Sequence, residues 1–262
     1  GSEETLGIIT RAILRLIPTP EYRCSMIALF NDIKQAGQTV ADVIKRGVIP
    51  ATMEIIDKIT LKAIENFKHI GLPQEADAIL LIETDGVQEA ALKEAEIVKE
   101  ICQKNKALEI KTANTEQERD NIWEARRSAL AALAQIKPTV ILEDATVPRS
   151  KIPQMIMAIN QIAQQENLVI GTFGHAGDGN LHPTIITDER DKKEMEKVEK
   201  AIEQIFAAAL NLGGTLTGEH GIGLSKKIFL PREFGEAGVA IMKKIKHSLD
   251  PQNILNPGKL FD

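Results

Sequence analysis

Aromatic side chains are scarce: 7 Phe, 1 Trp and 1 Tyr make up 3% of the 262 residues. That removes the stacking platforms used by readers of single-stranded nucleic acid. A basic excess is missing as well, since 32 Lys and Arg face 37 Asp and Glu for a net charge of −5, and no positive field is available for a phosphate backbone. Cysteine is nearly absent. Cys24 and Cys102 form neither a CxxC pair nor a disulfide-dense pattern, which argues against sulfur-ligated zinc and for a reducing, cytoplasmic compartment. Apolar stretches such as Ala78 to Ile82 fall far short of the ~20 residues of a membrane helix. No signal peptide is legible, and the chain opens on Gly1 as a fragment would. What is present, 43% hydrophobic and 26% charged residues, is ordinary globular material for one or two domains.

Periodicity orders that material. An apolar strand spans Leu6 to Ile17, closed by Pro18 and Pro20, and a second covers Ser25 to Phe30. Thr39 with Asp42 predicts a helix start, Thr52 to Ile56 a strand, Lys58 to His69 a short helix, and Ala78 to Thr84 a strand. Ala91, Ala95, Val98 and Cys102 recur at helical spacing, and Leu108 to Thr112 ends the block as a strand. The same order returns in Thr139 to Asp144, a helix capped by Ser150, strands Leu168 to Phe173 and Leu181 to Ile186, a long helix through Met195 and Ala209, and a short strand Thr215 to Thr217. The expected class is α+β: duplicated ferredoxin-like βαββαβ units with antiparallel sheet, at about 22–112 and 139–217, joined by a helix over 115–133 and followed by C-terminal helices. One wound α/β sheet is the alternative.

Chemistry concentrates in glycine-rich segments. His69 and His247 close predicted helices, where an imidazolium meets the negative end of the dipole, a structural role. The other histidines lie in Gly174–His182 and Gly218–Gly221. With Asp178-Gly179 as a two-residue hairpin turn, His175 and His182 fall directly opposite each other on one face, close enough to share a metal ion. The competing reading is a polar pair bracing a turn. Glu219 and His220 follow a strand and point to opposite sides of an extended backbone. That suggests Glu219 as a third ligand and His220 as a general base. Zinc suits two imidazoles and a carboxylate, with iron or manganese as alternatives.

Arg126 stands among Ile122, Trp123, Ala129 and Leu130 on one helix face. A guanidinium on an apolar face needs an anion. A structural carboxylate ranks slightly ahead of a substrate carboxylate. Arg127, beside Glu124, faces solvent.

Residues 1–10, Trp123 with Arg126, Glu143-Asp144 ahead of Val147–Ser150, His175 to Pro183, Gly213 through Gly221, and Leu255–Lys259 together resemble the carboxy-terminal half of FAD-linked oxidases. The branch is that of glycolate oxidase, D-lactate dehydrogenase and D-2-hydroxyglutarate dehydrogenase. The resemblance implies oxidation of a D-2-hydroxyacid to a 2-oxoacid by FAD. It implies metal ligation by His175, His182 and Glu219, a base at His220, a substrate-carboxylate contact at Arg126, and flavin-side contacts at Gly7 and Asn256. It also implies that residues 1–21 are the last strand of a flavin-binding domain absent from this chain, that 22–249 form the substrate and metal domain, and that 250–262 return to the flavin domain. Alone, such a fragment should not turn over. One departure is Glu4, where the family normally places glycine. Relatives pass electrons to an iron-sulfur subunit or to electron-transfer flavoprotein, so any membrane association would come through partners. A non-enzymatic module that binds a metal or small ligand is the alternative of another class.

Overall fold

The computed structural model describes residues 1–261, which divide into two units: residues 20–214, and the two ends of the chain, residues 1–19 with 215 onward. No helix among the described residues is long and apolar enough to cross a membrane.

In the larger unit the chain runs through β1 (Tyr22–Phe30), α1 (Ile33–Lys45), β2 (Thr52–Asp57), α2 (Lys58–Lys68), β3 (Ala78–Gly86), α3 (Gln88–Lys104) and β4 (Glu109–Thr112). After α4 (Glu116–Leu133) come β5 (Thr139–Leu142), β6 (Ala145–Thr146), α5 (Ile152–Glu166), β7 (Val169–His175), β8 (Asn180–Thr187) and α6 (Lys192–Asn211). The strands form one eight-stranded sheet in the order β4-β1-β3-β2-β7-β8-β5, with β6 also on β8. Every pairing is antiparallel, which excludes a wound parallel sheet. The two halves of the unit are continuous through the β2–β7 pairing.

Both faces of this sheet are covered, so Met26–Phe30 of β1 and Ala78–Ile82 of β3 read as unbroken apolar runs. Met26, Ala28, Met53, Ile55, Leu80 and Ile82 pack under α1, α3, α5 and α6. The alternate positions Ile27, Leu29, Ile56, Leu81 and Phe173 pack under α2 and α4. By that alternation Glu54 belongs to the second face, a buried acidic side chain among apolar neighbours. At the β2–α2 corner, buried Asp57 caps α2 by accepting from Thr60 N at 2.8 Å. Helix α4 begins with a reciprocal capping box between Thr115 and Glu118.

Several boundaries differ from the sequence reading. Helix α1 starts at Ile33 under an Asp32 cap, and Thr39 is an interior residue whose hydroxyl donates to Gln35 O at 2.8 Å. Gly37 lies inside this helix, where a Cβ would stand 3.2 Å from Pro153 Cα. Ser150 caps nothing, for a 3-10 turn over Arg149–Lys151 leads directly into α5. Over Thr215–Thr217 no strand forms; Thr215 Oγ1 and Leu216 N both donate to Glu233 instead.

The smaller unit carries α7 (Leu230–Leu249), kinked at Gly235 where φ is 68°. Its two chain ends are joined by Glu3, whose carboxylate accepts from Ile222 N at 2.6 Å and Gly223 N at 2.8 Å, while its carbonyl accepts from Asn256 Nδ2 at 2.6 Å. The expected strand Leu6–Ile17 is not one: residues 7–20 carry no regular structure and Ile8, Ile9, Ile13, Leu14, Leu16 and Ile17 are exposed. A strand needs a neighbour for its N–H and C=O groups, and no described strand pairs with this segment.

Candidate active site

The polar site of the larger unit lies on the α2/α4 face of the sheet, where β2, β7 and β8 adjoin α4. His175 ends β7 and His182 lies within β8. In the register, His175 is opposite Asn180 and His182 is opposite Phe173. The two imidazoles are therefore diagonal neighbours rather than a direct pair. The connection is the longer loop 176–179, closed by Asp178 N donating to His175 O and Gly179 N donating to Ala176 O, rather than a two-residue turn at Asp178-Gly179. A shift of two positions preserves the face, and the rings stand 5.2 Å apart, edge to face at 88°.

Glycine is required around this loop by close approach. A Cβ on Gly174 would lie 2.5 Å from Asn180 O, and one on Gly179, with φ of +82°, would lie 2.1 Å from Val147 O. The loop is thus built into the sheet, and Gly177 N donates to Met53 O on β2.

Each imidazole has a carboxylate at Nδ1. His175 Nδ1 is 2.5 Å from Glu54 Oε1, and His182 Nδ1 is 3.4 Å from Asp144 Oδ1. Glu54, Asp144 and His182 are buried. The Glu54 contact follows from the sheet: β2 and β7 pair Ile55 with Gly174 and Ile56 with Phe173, and the same register carried one step further sets Glu54 against His175. The other Glu54 oxygen accepts from Arg126 Nε at 2.6 Å. The Arg126 guanidinium carbon lies 4.9 Å from the centre of the Phe173 ring. Arg126 thus has the structural carboxylate that its apolar surroundings demand, engaged through Nε. Arg127 bonds Glu124 on the exposed side of α4, as expected.

A further buried carboxylate, Glu83, accepts from Trp123 Nε1 at 3.2 Å and from the Ser25 hydroxyl. Sequence reasoning misses Glu54 and Glu83, although both interrupt strands that are otherwise apolar, in Met53-Glu54-Ile55 and Ile82-Glu83-Thr84. A charged residue at an inward position of a buried strand is the signal that identifies them.

The remaining expected site residues belong to the smaller unit. Glu219 and His220 lie in a bend between Thr217 and Gly221, not on an extended strand. His220 Nε2 is 3.9 Å from Glu219 Oε1, so the two side chains do not point to opposite sides. Gly221 takes φ of +86°, and a Cβ there would stand 2.9 Å from the Glu3 carboxylate. Glu4 has φ of 59°, a left-handed conformation that suits the glycine expected there. Nothing approaches within 4 Å of a Cβ built on Gly7, and Asn256 spends its amide on Glu3 O.

The family model described as FAD linked oxidases, C-terminal domain, matches residues 19–260. The chain is 53% identical over 261 residues to glycolate oxidase subunit GlcD of Bacillus subtilis (strain 168), covering 100% of this chain and 56% of that protein. It is 35% identical to glycolate oxidase subunit GlcD of Escherichia coli (strain K12), with coverages of 99% and 52%. With a probable mitochondrial D-lactate dehydrogenase of Danio rerio it shares 34% identity, covering 100% of this chain and 53% of that protein. The chain therefore spans about half the length of these relatives. In fold it is similar to 4-ethylphenol oxidase from Gulosibacter chungangensis, at a TM-score of 0.68 and 15% identity over 95% of this chain and 55% of that one.

Proposed function

Because the chain belongs to the family of FAD linked oxidase C-terminal domains, we propose that it is the substrate- and metal-binding part of an FAD-dependent oxidoreductase. The reaction is oxidation of a small D-2-hydroxyacid, glycolate or D-lactate, to its 2-oxoacid. Carrying this reading is the placement of a cation beside two imidazoles: Arg126 and His175 share the one carboxylate of Glu54. A 2-hydroxyacid has its carboxylate and its hydroxyl on adjacent carbons, and these are the two groups such a site would take. The relatives' names, glycolate oxidase and D-lactate dehydrogenase, support it.

Two imidazoles on one face, each with Nδ1 toward a buried carboxylate, suit a divalent ion such as zinc. In this reading His175 and His182 ligate through Nε2, Glu219 completes the set, and Arg126 turns its terminal nitrogens to the substrate carboxylate. His220 accepts the proton of the 2-hydroxyl. Bound there, a divalent ion would supply polarisation of that hydroxyl, and FAD would supply a two-electron acceptor. Residues 1–21 and 250–262 pack on the flavin-binding part, with Gly7 and Asn256 at its edge, and the exposed apolar residues of 8–17 supply the surface. Two relatives are named as subunits, which supports a protein electron acceptor, iron-sulfur or flavoprotein. Within 22–217 we read two ferredoxin-like units, supported by the order β4-β1-β3-β2 in the first half; in the second half β5 and β6 both pair with β8, and among the described residues no strand follows α6.

The test is flavin bleaching in the full-length protein under anaerobic conditions. Glycolate or D-lactate should reduce the flavin. Absence of reduction by any D-2-hydroxyacid, in protein loaded with FAD and metal, overturns the reading.

A further inference from the structure

We propose that Glu54 is the positioning residue of this site: a single carboxylate that fixes the tautomer of His175 and the orientation of Arg126 together. The proposal deepens the preceding reading and rests on it where metal is concerned. An ionised carboxylate offers acceptors only. One oxygen of Glu54 takes the Arg126 Nε proton at 2.6 Å, and the other is 2.5 Å from His175 Nδ1. The nitrogen facing that oxygen must be a donor, so His175 is held as the Nδ1–H tautomer and Nε2 becomes its ligating atom.

The geometry is stiff on all sides. Glu54 is buried in a strand paired on both edges, with β3 and β7. Its reach to His175 is set by cross-strand register, and its reach to Arg126 by helix α4 lying over the sheet. Arg126 is further confined by the Phe173 ring beneath its guanidinium, and Phe173 in turn lies 5.6 Å from the His182 ring. Loss of the Glu54 charge should therefore disturb the metal side and the carboxylate side at once.

Glu54→Gln makes a sharp test because an amide has one accepting end and one donating end. Arginine cannot give up its proton, so the glutamine oxygen turns to Arg126 and the NH₂ turns to His175. Nδ1 must then accept, and its proton moves to Nε2, where it blocks ligation. Imidazole nitrogen chemical shifts, read at about pH 8.5 in the metal-free protein, above the usual histidine range, should show Nδ1–H for His175 in the native protein and Nε2–H in Glu54→Gln. Affinity for Zn²⁺, by chelator competition, should fall roughly 10- to 100-fold. The double variant Glu54→Gln with Arg126→Met frees the amide to turn its oxygen to His175, and should restore both the tautomer and the zinc affinity.

If Glu54→Gln does not fold, Glu54→Leu with Arg126→Met removes both charges together and should still abolish the Nδ1–H preference. An unchanged His175 tautomer in Glu54→Gln, or in Glu54→Leu with Arg126→Met, overturns the proposal. Native protein with no affinity for Zn²⁺, but with the tautomer switch intact, removes the metal reading and leaves Glu54 as the positioning residue.

Discussion

Asp57 accepts a backbone hydrogen bond from Thr172 at 2.8 Å and so ties the β2–α2 corner to the middle of β7. Burial pushes its carboxyl up from 3.8 to about 6, against the N–H donors of Thr60 and Thr172 that pull it down. A carboxyl raised on folding contributes fully below the unfolded value, and that contribution is lost as pH rises through the folded one. The difference corresponds to roughly 3 kcal/mol. Asp57→Asn cannot titrate and must aim its NH₂ at one of two N–H groups, at a cost of about 1–3 kcal/mol. The stability gap between native protein and Asp57→Asn, from denaturant unfolding, should therefore narrow as pH rises from about 4 to 7. A gap that widens over this range means that the N–H donors outweigh burial.

Much of this architecture is legible in the sequence. Ala91, Ala95, Val98 and Cys102 are all buried on α3 as their spacing predicts, and Thr115 caps the helix that carries Arg126. Local patterns of this kind report whether a side chain faces the core. They do not report which carboxylate arrives from another strand, so the partner of Arg126 is open until β2 is placed beside β7. Asp178-Gly179 misleads for a related reason. Gly179 takes its positive φ at the end of a longer loop held against β2 and Val147, contacts that no local pattern encodes. His175 and His182 nevertheless share a face, because parity survives a shift of two.

Asp250 closes the last turn of α7, accepting from Ile254 N and Leu255 N and pairing with Lys246. Lys246 first, then those backbone donors, hold its carboxyl down at about 2. A depressed carboxyl contributes stability above the unfolded value of 3.8, lost as pH falls through about 2. Amide exchange in residues 251–261 should accelerate as pH is lowered from about 4 toward 2, after correction for intrinsic rates. Asp250→Asn should show faster exchange already at neutral pH and little further change on acidification. Identical profiles would mean that the tail is held by other contacts.

Metal affinity should fall on acidification, because imidazole must be neutral to ligate. His182→Ala removes a proposed ligand, buried beside Asp144, and should lower zinc affinity by about a hundredfold or more. Asp144→Asn, which keeps the ligand and weakens only its support, should cost roughly 10- to 100-fold. Equal zinc affinity in native protein and His182→Ala would remove β8 from the metal site.

His220 and Arg126 separate by what each loses. His220→Ala in the full-length flavin-loaded protein should slow flavin reduction by roughly 10² to 10⁴ with metal content nearly unchanged, since proton transfer is lost and ligation is not. Arg126→Lys keeps the charge but cannot reproduce the planar contact proposed for Arg126, with Glu54 on one edge and a substrate carboxylate on the other. Its main effect should be a raised KM for the hydroxyacid. Arg126 also pairs with buried Glu54, so thermal unfolding has to accompany the kinetics: a variant that loses substrate affinity at unchanged Tm has lost a substrate contact, whereas one that loses both has lost the ion pair. Unaltered flavin reduction in folded, metal-loaded His220→Ala would take His220 out of the reaction and leave Gly218 to Gly221 as a turn latched by Glu3.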